Sequence, residues 1–401
     1  MKKMMSVCLL LSMLLVLLAG CQSPGPEQDL GDTYVPENDN QYYFYLSGIL
    51  GNPITDSEDA YYFDHEQYLY SKDKKTGKSA PLCNKPDCTH DAQAMNPDGS
   101  SNCNAYFGYV RNLAYYQGKL YVIEDEGVYE MDVSGSTRKE LLQFKEIPSC
   151  GMVHRGYLYL AFTDFNGAPE DYTEEEMADR GCRVERYRLD QWDGKPEVVY
   201  EKKGEFGQIN TMFAYGNRVY IVGAGESDGG VCYDILDHSV TDMPPGTNAY
   251  MALSNEHLVY FPPLEGYTDE ATPEEWFEML KKGKAVLGDL EGNVETETEI
   301  PETHSSLYAF GDKIAADNRS AVAFDALPLE ERSVRFYDQD GKFIREVKTG
   351  NDRMPVLGMD EDYLFYLKRG ENNEGVELWA IDLHRLDDPD LQGEQFFPEE
   401  E

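Results

Sequence analysis

Cys83, Cys88, His90 and Cys103 bring three thiols and an imidazole into one short stretch, PLCNKPDCTHD followed by NCNAYFG. Three thiolates and one imidazole complete the tetrahedral shell of a structural zinc ion and leave no open position for a substrate. Pro86 and Asp87 suit a turn between the first two thiols. A zinc ion here would order a loop poor in apolar residues, so one structural zinc is the first reading. Disulfides are the second. Six cysteines follow Cys21, namely Cys83, Cys88, Cys103, Cys150, Cys182 and Cys232. An even number in an exported chain is compatible with full pairing. The third reading is neither, with His90 solvated beside Asp91. The three differ in the number of free thiols.

No other segment carries a recognisable catalytic pattern. There is no serine nucleophile elbow, phosphate-cradling glycine loop or metalloprotease helix motif. GAGESDGG (223–230) is glycine-rich but precedes a strand, and YDQDGK (337–342) reads as a hairpin turn. His154, His257 and His304 lie near inner strands and read as structural. No catalytic residue is assigned.

The elements that position the cluster form a repeat. Six copies of a tight hairpin recur, among them LAYYQGKLYVI (113–123), MVHRGYLYLAF (152–162) and MFAYGNRVYIV (212–222). Gly, Asn and Asp at their turns accept the positive φ that two-residue hairpins need. A second hairpin with a polar turn alternates with the first in seven copies, such as VYEMDVSGSTRKELL (128–142) and VRFYDQDGKFIREV (334–347). Inner plus outer hairpin makes a four-stranded antiparallel sheet, and repetition of that sheet makes an all-β propeller. Seven blades are expected, with six or eight compatible with the weaker copies. The first blade departs most, because its strands YYFYLSG and AYYFD stand far apart. GKLYVIEDEGVYEMDVSGSTRKELL resembles a blade of the YWTD-type propellers, a resemblance that implies six blades.

In such a fold, strands run A to D from the axis outward. The B–C and D–A connections then share one face, and the A–B and C–D turns share the other. Two short helical inserts are expected in B–C connections. One is capped by Thr173 and Glu176 and stopped by Gly181. The other is capped by Thr272, Pro273 and Glu275 and stopped by Gly283. With 319–331 and the cysteine segment, they place four elaborations on one face.

The chain opens MKKMMSVCLLLSMLLVLLAGC, two lysines and an apolar run too short for a confident membrane span. LAGC resembles the lipobox of bacterial lipoproteins. It implies a signal peptide over 1–20, lipid attachment at Cys21, and an extracytoplasmic protein anchored to the cell membrane. Residues 21–40 read as a flexible tether and 41–401 as a single propeller domain. Together the lipobox, the Cys/His segment and the repeat resemble lipid-anchored propeller proteins on the surface of anaerobic Firmicutes, which have no established activity.

The chain has 35 basic against 75 acidic residues; losing Lys2 and Lys3 with the signal takes the net charge from −40 to −42. So acidic a chain excludes nucleic acid as a partner, since phosphate binding needs a basic footprint. The expectation is a monomeric, non-catalytic module that binds a protein or glycan through the B–C/D–A face. The alternatives are a surface glycan hydrolase or lyase working at the axis, and an envelope-assembly scaffold.

Overall fold

The computed structural model describes residues 29–397 except 37, 40–53, 92–95, 97–100, 165–172, 205–207, 225–229, 248–250, 255–256, 264–271, 320–326, 351–354 and 371–374. Residues 1–20, read from the sequence as a signal peptide, and Cys21 lie outside the described residues. No described helix is long and apolar enough to cross a membrane.

Strand B of the second blade, Lys119–Glu124, shows why these residues build this architecture. Leu120 and Val122 point toward the first blade, while Tyr121 and Ile123 point toward the third. A strand alternates its side chains between two faces, so a strand buried on both must be apolar throughout. Each such side chain contributes about 1.5–3 kcal/mol on burial.

Repeated along the chain, this pattern gives seven four-stranded antiparallel sheets, each drawn from one contiguous stretch in sequence order. They cover 54–81, 110–143, 150–203, 208–242, 252–301, 306–348 and 356–395. The core is divided to match, with seven apolar clusters, one between each pair of neighbouring sheets. The last joins Leu357, Phe365, Leu378 and Phe396 of the seventh sheet to Ile54, Tyr61 and Phe63 of the first, which closes the ring. The fold is a seven-bladed β-propeller. The six blades implied by the YWTD-type resemblance are therefore corrected to seven.

The first blade differs from expectation. Its innermost strand is Ile54–Asp56, paired with Ala60–His65 across a short turn. YYFYLSG (42–48) lies outside the described residues.

The A–B turns are tight, at 117–118, 155–156, 216–217 and 311–312. Arg155 and Gly156 both have positive φ, 45° and 83°, as a two-residue hairpin turn requires. The longest connections are 82–109, 164–180, 261–283 and 318–332, all of B–C or D–A type. Both expected helices form, Glu174–Asp179 and Pro273–Leu280, the second with a complete capping box at Thr272 and Glu275. Gly181 does not stop the first helix. It opens the next strand, where a Cβ would meet the Lys202 carbonyl oxygen at 1.9 Å.

The described residues between 29 and 39 are not a free tether. Asp39 is buried against Arg155, whose Nε donates to Oδ1 at 2.7 Å and whose Nη2 donates to Oδ2 at 3.3 Å. The packed body therefore begins before residue 41.

Candidate functional site

Strand D of the first blade, Ser79–Pro81, delivers Leu82 and Cys83 to the seam with the second blade. Leu82 N donates to Leu69 O at 2.7 Å, continuing the ladder past the strand. Asn84 N then donates to Gly135 O at 3.3 Å, in the outer turn of the second blade. Gly135 has φ +70°, and a Cβ there would meet the Leu82 carbonyl oxygen at 2.3 Å, so only glycine lets the two chains approach. A turn from Lys85 to Cys88 reverses the backbone, closed by Cys88 N donating to Lys85 O at 3.2 Å. His90 takes φ 54°, and Tyr68 Oη donates to its carbonyl at 2.8 Å.

The chain returns at Cys103, 1% exposed. It runs on as an edge segment, with Leu69 N donating to Ala105 O at 2.8 Å and Phe107 N to Gln67 O at 2.9 Å. Phe107 packs edge-on against Tyr129, and the Arg138 guanidinium lies 3.8 Å over the Phe107 ring. Asn104 Nδ2 donates to Gly135 O at 2.9 Å. The cluster thus sits at the outer rim, between outer strands of two blades. The sequence places it among the elaborations of one face. Its connection has that topology, yet it folds outward against the neighbouring blade.

The four side chains converge. One ligand atom from each of Cys83, Cys88, His90 and Cys103 lies within 4.8 Å of every other. His90 Nδ1 is 3.6 Å from both Cys88 Sγ and Cys103 Sγ. Zinc binds sulfur at about 2.3 Å and nitrogen at about 2.0–2.1 Å, so tetrahedral geometry puts a sulfur and a nitrogen ligand roughly 3.5–3.6 Å apart. The observed separation meets that requirement. Two backbone amides also point at the sulfurs, His90 N at Cys88 Sγ and Asn104 N at Cys83 Sγ, both at 3.4 Å. Such donors orient a thiolate and stabilise its charge. No disulfide joins any of the six described cysteines.

The thiols are electrostatically unequal. Burial presses Cys83 upward, but the Lys85 and Asn104 amides and the neighbouring sulfurs outweigh it and hold the thiol below its ordinary range. Burial, with the Cys88 and Cys83 sulfurs beside it, pushes Cys103 up to about 12. A divalent cation reverses that bias by favouring thiolate at every ligand.

The remaining cysteines, Cys150, Cys182 and Cys232, belong to strands of the third and fourth blades. His154 is buried, with its Nε2 2.9 Å from Gly216 O, and burial lowers its pKa. Burial, together with Arg335 and Lys348, pushes His304 down to about 3. His257 pairs with Glu295 at 2.9 Å. Asp338 in YDQDGK accepts from the Asp340 and Lys342 amides at 3.0 and 2.9 Å, as a hairpin turn does.

Sequence reasoning missed the polar cluster around Arg155. All five of its N–H donors are engaged, by Asp39, the Gly31 and Thr33 carbonyls and Asn217 Oδ1. Tyr34 and Val35 are the apolar residues of GDTYVPEND that hint at packing.

No family model matches the chain. No curated protein matches it in sequence. Solved structures do. An oligogalacturonate lyase in complex with manganese is 11% identical, with a TM-score of 0.50 over 89% of this chain and 95% of its own. The oligogalacturonate lyase of Vibrio parahaemolyticus is 10% identical, with a TM-score of 0.51 over 88% and 93%. An acylaminoacyl peptidase of Pyrococcus horikoshii is 13% identical, with a TM-score of 0.50 over 88% of this chain and 52% of its own. At these identities the shared property is the fold.

Proposed function

We propose that the protein is a lipid-anchored, extracytoplasmic, monomeric propeller that acts as a binding module for a protein or glycan through its B–C/D–A face. The observation that carries this reading is the asymmetry of the two faces. The A–B turns are held to a few residues, whereas 164–180, 261–283 and 318–332 are all B–C connections. Long loops on a rigid scaffold are where recognition residues collect. The test trims 164–180 and 262–283 separately and compares glycan-array and surface-protein binding with the full-length chain. Loss in either variant supports the reading, and unchanged binding in both refutes it. The catalytic alternative has its own outcome: accumulation of unsaturated products from oligogalacturonate would favour a lyase.

The Cys83, Cys88, His90 and Cys103 group is proposed to hold one structural zinc ion, supported by the match between the 3.6 Å separations and tetrahedral zinc. Bound there, zinc supplies cross-linking and not chemistry, because four protein ligands fill its shell. Thiol titration of the unfolded protein, with and without chelator, separates the readings. Six thiols with one equivalent of zinc support the site. Fewer thiols and no metal overturn it in favour of disulfides.

A further inference from the structure

The segment that follows the proposed lipid site is docked, and it is docked on one particular face. Asn38 accepts from Arg155 N at 2.7 Å and from Gln117 Nε2 at 3.2 Å. Asp32 pairs with Arg218 at 2.8 Å and accepts from Asn217 N at 3.3 Å. Asn217 Nδ2 donates to Asp29 Oδ1 at 3.0 Å. Tyr34 packs edge-on against Phe310 at 5.3 Å. Gln117, Arg155 and Asn217 lie in the A–B turns of the second, third and fourth blades, Arg218 directly follows the last of these, and Phe310 borders the A–B turn of the sixth. Gly216, φ +57°, is fitted to the strap, since a Cβ there would meet Asp32 Cα at 2.7 Å. Residues 29–39 therefore cross the A–B turn face, the side opposite the long B–C connections. Strand order alone would bring a chain that feeds strand A of the first blade in on the elaborated face, and the contacts of the strap place it on the other.

We propose that this strap fixes the orientation of the propeller on a membrane, with the A–B turn face toward the bilayer and the B–C loops directed outward. The proposal rests on lipid attachment at Cys21. From Cys21 to the first docked residue, Asp29, the chain extends at most about 28 Å, at ~3.3–3.6 Å per residue. Turning the body over would require this link to pass from the inner turns across four strands, roughly 15–20 Å at ~4.8 Å per strand, and then along the blade. A strand of six or seven residues adds about 20–24 Å more. The summed path exceeds the link, so the inverted orientation, with the B–C loops against the bilayer, is out of reach. Without the strap, the free chain would extend to Ile54 and allow either face to meet the membrane.

The test uses the full lipidated chain on phosphatidylcholine vesicles carrying a headgroup energy acceptor. A donor is introduced through a non-natural residue at Asp312, in an A–B turn, or at Glu126, in a B–C turn. The expected result is stronger transfer from position 312 than from position 126. Inserting about 20 Gly/Ser residues between Cys21 and Asp29 adds up to ~70 Å of contour without touching the folded body, and should abolish the difference. Asp39→Asn, which weakens the buried pair, should reduce it. Equal or reversed transfer in the parent protein overturns the orientation. Cys21→Ser separates the two ideas. If it binds vesicles as well as the parent, or if the parent does not bind, lipid anchoring itself fails and the orientation fails with it.

Discussion

Replacing Phe396 with alanine should weaken the closure of the ring more than any exposed change. Phe396 is 5% exposed and meets Tyr61, Phe365 and Tyr363 edge-on, with ring centroids 5.2, 5.0 and 5.6 Å away. Lys72 Nζ stands 3.8 Å above its ring. Truncating a buried phenylalanine costs about 3–5 kcal/mol through lost transfer energy and the cavity left behind. Each aromatic pair accounts for ~0.5–1.5 kcal/mol within that total. An expected loss of about 4 kcal/mol follows, read as a lower urea midpoint at unchanged slope. Hydrogen exchange should also quicken in strands Ala60–His65 and Tyr363–Arg369, which flank the seam. Phe343→Ala is the control, since that ring is 50% exposed, and it should change stability by less than about 1 kcal/mol. A Phe396→Ala loss no greater than the control's would refute the assignment of this seam as the closure.

Asp360 is buried, and desolvation raises its carboxyl to about 7. The folded state then binds the proton more tightly than the unfolded chain, so this group's stabilising contribution is full below about pH 4 and is lost as pH rises toward 7. Asp360→Asn should flatten the denaturation midpoint between pH 4 and 7, and an unchanged pH profile would contradict the burial argument. Gly135→Ala should force φ +70° on a residue with a Cβ and drive it into the Leu82 carbonyl. A loss of roughly 1–3 kcal/mol is expected, with faster proteolysis confined to the loop between Cys83 and Cys103; wild-type proteolysis would show that the close approach is not needed.

Six of the seven outer hairpins were legible from polar turns between alternating strands, as in YDQDGKF and SGSTRK, and of the seventh only the strand VELWAID was. The cysteine cluster was legible from residue type alone. Its place was not, because the contact of Leu82 with Gly135 depends on how the first blade leans on the second. The innermost strand Ile54–Asp56 was hidden by its length, since three residues carry too little periodicity to read. The final strand, Glu394–Gln395, is shorter still, and its importance lies in the phenylalanine that follows. The strap at 29–39 escaped because, Tyr34 apart, its contacts are polar and answer Arg155 and Asn217, more than 100 residues away. Composition registers apolar surface, and long-range hydrogen bonding leaves no local trace.

Each blade is built from one stretch of chain, and among the described residues no strand is shared across the junction of the seventh blade with the first. An apolar cluster closes that junction, as one closes each of the other six. The order of blades is therefore cyclic in space although linear in sequence. A gene joined from the end of the seventh blade to the start of the first and reopened at another interblade connection should encode the same ring, provided Phe396 still reaches Tyr61. Duplication or loss of a whole blade would leave every remaining sheet intact and change only the curvature with which neighbours meet.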